Sequence, residues 1–192
     1  MSNLMQTPTK PSDKIFSLVI AKSFSCTEKA KPFLQFQDKK KNNQHEHLIL
    51  FEFVYFFMHM INRHALPILG HGRRAQLQSK RGPEIIKSIT EVVFESEPEE
   101  LKTQLFNDIY ENLNRAEIGY ANCKELLLSS NPFSQDAIIS KLARLVSNLC
   151  TYPTDKNLIW TVMETSFQEY QKTYFNRLLE SCRTQLDDPT VN

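Results

Sequence analysis

Along one apolar stretch of this chain, four side chains are placed to act together. From residue 45 to residue 69 the sequence is mostly aromatic and aliphatic. His45, Glu52 and His59 interrupt it at intervals of seven, and Arg63 follows four residues later. On a helix these steps return to nearly the same side, so the four form one polar line. Leu50, Val54, Phe57, Ile61 and Ala65 fall opposite, with Phe53 and Met60 widening the apolar arc. An imidazole, a carboxylate and a guanidinium in line can solvate one edge of a buried helix, where polar residues cost least. Alternatively, Glu52, His59 and Arg63 form a paired network lining a pocket, or the line belongs to an interface.

A second pattern bears on that choice. Asn112, Ala116, Gly119 and Cys123 make a groove of small residues at spacings of four, three and four. Glycine inside a helix costs about 1 kcal/mol against alanine, so something must compensate. Close approach of the bulky aromatic helix would do so, as would a ligand filling the space. Asn112 sits among apolar neighbours and needs a partner if buried. The candidate ligand-binding residues are therefore Glu52, His59, Arg63 and Asn112.

Gly70-His71-Gly72-Arg73-Arg74-Ala75 matches Gly-x-Gly-x-x-Ala literally. A dinucleotide fingerprint requires a strand before the glycines, whereas a long helix precedes these. The stretch is read as a solvated basic turn, with Arg73 and Arg74 the candidates for an anion. Neither Glu-x-x-His nor His-Glu-x-x-His occurs, and Glu52 and His59 lie about 10 Å apart along a helix axis. No metal, cofactor or catalytic residue is assigned, since Gly-x-Ser-x-Gly and phosphate-loop patterns are also missing. Cys26, Cys123, Cys150 and Cys182 are too widely spaced for a Cys-x-x-Cys site and read as reduced, buried thiols.

The elements that position these residues are helical. One helix is expected over 13–29, with a strand as the alternative because of its β-branched residues. After a connector over 31–44 comes the aromatic helix, 45–69, kinked or broken at Pro67. Gly82-Pro83-Glu84 signals a third helix. Glu97-Pro98-Glu99-Glu100 signals a fourth, to about Leu128. Asn131-Pro132 marks the next connection, and Ser134 with Asp136 is expected to cap a fifth helix. Thr154 and Asp155 open the last, with Ile159, Met163, Phe167, Tyr170, Tyr174 and Leu178 on its inner face. The predicted fold is all-α, a single-domain bundle of about five or six helices with a long kinked central helix. It occupies 12–186 between flexible tails at 1–11 and 187–192.

A net charge of +1 gives no field to gather nucleic acid. The apolar run from Leu48 to Ile61 is too short, and too interrupted by Glu52 and His59, to span a membrane. A cytoplasmic location is expected. The leading functional expectation is a non-enzymatic interaction module that binds a protein partner or self-associates as a homodimer. The alternative is a small-ligand or metal-binding protein with its pocket between the second and fourth helices.

Overall fold

The computed structural model describes residues 11–126, 134 and 136–186. The sequence readings for 1–10, for Asn131-Pro132 and for 187–192 lie outside that range. Six α-helices follow in order: α1 (Pro11–Ala30), α2 (Lys39–Val93), α3 (Glu99–Ala121), α4 (Ile138–Asn148), α5 (Lys156–Gln171) and α6 (Phe175–Leu186). The segment read as helix or strand is helix. Among the described residues the only β pairing is one isolated bridge between Glu125 and Ala137.

α2 is not a straight rod. Phe51 and Phe94 stack with ring centroids 6.4 Å apart, whereas a continuous helix would separate them by about 64 Å. The chain folds back at Gly70, whose φ of 74° and ψ of 175° interrupt the helix. That combination is open essentially to glycine alone. Residues 39–69 are thus a first arm and 71–93 a second, running antiparallel. α3 returns alongside both: a β-carbon on Gly82 of the second arm would lie 3.7 Å from Tyr110 and Leu113, and Tyr55 of the first donates to the Ile109 carbonyl at 3.2 Å.

The structure corrects several local readings. The basic stretch after Gly70 is helix, not a turn, and Pro83 sits inside the second arm rather than at its start. α2 begins at Lys39, six residues before His45, because Asp38 accepts from the Lys40 N–H at 2.8 Å as N-cap. α3 stops at Ala121 instead of continuing to Leu128. The following residues pair elsewhere: the Glu125 and Leu126 carbonyls accept from the Ile138 and Ile139 N–H groups. This backbone pairing satisfies the first turn of α4, so Ala137 and not Ser134 or Asp136 is the N-cap. Asp155 does cap α5, accepting from Asn157 and Leu158. The last predicted helix is two, and Tyr174, at their junction, is 66% exposed. There Thr173 turns its hydroxyl back onto the Glu169 carbonyl at 2.7 Å, competing with continued helix.

The first arm is the centre of the core. From Ile49 to Asn62 every residue but Glu52 is buried, and Phe53, Phe56 and Phe57 are fully so. Each such ring contributes about 1.5–3 kcal/mol relative to exposure. α1, α3, α4 and α6 pack around this hairpin, with α5 against α1 and α4.

Candidate functional site

Burial takes the polar line apart. His45 lies near the start of the first arm, donating Nδ1–H to the Leu149 carbonyl at 2.5 Å and packing on Phe36. His59 is buried, its Nδ1–H pointing at Glu117 Oε2 of α3 at 3.0 Å. Arg63 is exposed and donates to the Lys124 carbonyl at 2.9 Å and the Cys123 carbonyl at 3.5 Å. It serves the chain leaving α3, where carbonyls lack helical partners and favour a cation. The expected Glu52–His59–Arg63 network therefore does not form, and the line is not a solvated edge either, since His59 and the Glu52 carboxyl are inside. His45, His59 and Arg63 were each drawn to a different partner on a neighbouring segment.

Glu52 is the member left without a partner. A cavity of about 420 Å³ opens between the first arm of α2, α3 and α4. Glu52 and Tyr55 line it from α2, Asn112 and Tyr120 from α3, and Lys141 from α4. Among the described residues, Glu52 Oε2 and the Tyr120 hydroxyl are buried with no hydrogen-bond partner. Burial pushes the Glu52 carboxyl up to about 7, and burial alone accounts for the rise. Burial, reinforced by the nearby Glu52 carboxylate, also holds the Tyr120 phenol well above its ordinary value. Among the described residues no cation on the wall pairs with Glu52. Lys141 Nζ donates to the Gly119 carbonyl at 2.7 Å, and Arg115 at the mouth pairs with Glu111 at 2.5 Å.

Of the sequence candidates, Glu52 and Asn112 reach the cavity, Asn112 from an exposed position. His59 and Arg63 do not line it. The small-residue groove has an occupant that neither sequence reading named. A β-carbon on Gly119 would meet Lys141 Nζ at 3.1 Å, so glycine makes room for that lysine, while Asn112, Ala116 and Gly119 also line the cavity. The orphaned Tyr120 hydroxyl had no signal in the sequence. Lys141 had no local signal, because its role depends on α4 packing against the end of α3.

Arg73 and Arg74 stand half-buried on the second arm of α2, just past Gly70. Arg74 Nε is buried without a partner among the described residues, and Arg81 beyond it pairs with Glu84. A second, more open cavity of about 310 Å³ surrounds His64 at the α5–α6 junction. There the imidazole is already engaged: Nδ1–H donates to Asn176 Oδ1, the Tyr170 hydroxyl donates to Nε2, both at 2.9 Å, and Phe175 stacks on the ring. That histidine pins α6 to α2. No group of three or more His, Cys, Asp or Glu side chains that could hold a metal ion occurs among the described residues. No helix among them is long and apolar enough to cross a membrane.

Comparison with known proteins finds no matching family, no matching curated relative and no matching solved structure.

Proposed function

We propose that this protein binds a small organic ligand in the cavity between the first arm of α2, α3 and α4. The observation that carries this reading is the pair of buried, unpartnered polar atoms on its wall, Glu52 Oε2 and the Tyr120 hydroxyl. Such groups cost about 1–3 kcal/mol each when left unsatisfied, so a fold retaining two of them gains on filling the space. Leu48, Phe51, Ile109 and Leu145 supply the apolar remainder, a mixture typical of ligand pockets. The arrangement favours binding over turnover, because among the described residues no second titratable side chain is hydrogen-bonded to Glu52 to share a proton. The buried thiols of Cys26, Cys150 and Cys182, outside any disulfide among the described residues, support a reducing compartment, the cytoplasm, as its place of work.

A thermal-shift screen of metabolites tests this directly, since a ligand that binds only the folded state raises its melting temperature. The control is Ala116→Trp, which places a bulky ring in the cavity. Compounds that shift the wild type but not the variant, with matching circular dichroism, support the reading. A library in which every shift survives Ala116→Trp contradicts it.

A second reading, docking of a partner chain or a second copy, draws on large apolar side chains left in water. Ile118 of α3 is 68% exposed, and Leu48 at the mouth of the same cavity 49%. Concentration-dependent sedimentation that is abolished by Ile118→Lys would favour it, and a monomer at all concentrations would remove self-association.

A further inference from the structure

The cavity is chemically lopsided, and the asymmetry points to one class of ligand. Its interior presents Glu52 Oε2, fully buried and unpartnered among the described residues. The cations on its wall are the half-buried Lys141 and Arg115, which has 69% of its side chain in solvent and is paired with Glu111. Leu48, Phe51, Ile109 and Leu145 supply the apolar part of the wall. Lys141 spends one donor on the Gly119 carbonyl and keeps two. A buried carboxylate is tolerated when a hydrogen-bonded cation meets it, and the wall supplies none. Liquid water takes up about 30 Å³ per molecule, so a cavity of about 420 Å³ has room for a ligand of roughly 10 to 14 non-hydrogen atoms.

From this, and resting on the cavity being a ligand site, we infer that the occupant is an elongated zwitterion of the ω-amino-carboxylate class. Its ammonium group enters first and donates to Glu52, its methylene chain lies along Phe51, Ile109 and Leu145, and its carboxylate stays at the mouth against Lys141 and Arg115. A plain amine would gain the inner contact but leave Lys141 without an anion. A plain carboxylate would find the mouth favourable and the interior repulsive. Only a molecule with both ends satisfies the wall at both ends.

Four six-carbon probes separate these cases by calorimetric titration into the full chain: 6-aminohexanoate, hexylamine, hexanoate and hexan-1-ol. The expected order is 6-aminohexanoate tightest, hexylamine next, and the other two at least ten times weaker. Glu52→Gln should weaken both amines at least tenfold, and Lys141→Met should reduce the zwitterion to the level of hexylamine. Lowering the pH from 8 to 5 should also weaken the amines in the wild type, with no variant needed. The other titratable groups on the wall are Tyr55, Tyr120, Arg115 and Lys141, residue types that hold one charge state across that range. His59 faces Glu117 and not the cavity. Hexanoate or hexan-1-ol binding as well as 6-aminohexanoate overturns the inference and leaves the cavity reading standing. So does failure of all four probes while other compounds bind in an Ala116→Trp-sensitive way. Insensitivity of every bound compound to Ala116→Trp overturns the cavity reading itself.

Discussion

Glu52 and Arg63 began on the same polar line and ended with opposite fates, which shows how much a single side chain's neighbours decide. The carboxyl of Glu52, raised to about 7 by burial, holds its proton more tightly in the folded state than in the unfolded chain. Between the ordinary carboxylate range and pH 7 the folded state therefore binds more protons, and stability falls as pH rises through that window. Urea unfolding at pH 5 and pH 8 should show this loss in the wild type, by up to about 3 kcal/mol. Glu52→Gln should flatten it and leave the variant the more stable of the two at pH 8. A wild type whose stability climbs from pH 5 to pH 8 through this group would contradict the burial of Glu52. Arg63→Ala removes donors to the Cys123 and Lys124 carbonyls and should cost about 1 kcal/mol at any pH in that range, measured the same way. The line itself was legible in the sequence, since spacing gives direction around a helix. Which neighbour each residue meets was not, because Glu117, Lys124 and Leu149 arrive from other elements.

At the scale of elements, the reversal in α2 matters most. Gly70 and Gly72 both belong to the literal glycine motif, yet only Gly70 has a positive φ. Gly70→Ala should destabilise by about 1–3 kcal/mol through backbone strain alone, although nothing crowds its β-carbon position. Gly72→Ala, helical and equally uncrowded, should stabilise by up to about 1 kcal/mol. Thermal unfolding of the two variants side by side checks the pair, and a matched effect would remove Gly70 as the hinge. The sequence pointed to a break near Pro67 and Gly70 because both residues disrupt helices locally. It misplaced the restart at Gly82-Pro83-Glu84, since a proline starting a helix and a proline held inside one by packing read alike. Gly82 is buried there against Tyr110 and Leu113, a tertiary contact with no local signature. The end of α3 was misjudged for a similar reason, its helical pattern being overruled by pairing of Glu125 and Leu126 with the start of α4.

For the whole molecule, hydrophobic periodicity sufficed to specify an all-α fold around the aromatic helix. The hairpin of α2 carries that core and, with α3 and α4, leaves a cavity on the side where Glu52 interrupts it. The sequence expected a pocket between the second and fourth helices lined by Glu52, His59, Arg63 and Asn112, whereas the cavity is walled by α4 as well, holds Tyr120 and Lys141, and lacks His59 and Arg63. A pocket is made by what fails to fill, and spacing along one chain does not record that. The central claim is that Glu52 stands on this cavity wall with Oε2 buried and without a counter-ion among the described residues. A carbon-detected nuclear magnetic resonance titration of the Glu52 carboxyl in the free protein measures it most directly. A midpoint near 7 is expected, whereas a midpoint in the ordinary carboxylate range, about 4.3, would mean a solvated or paired Glu52 and would contradict the claim.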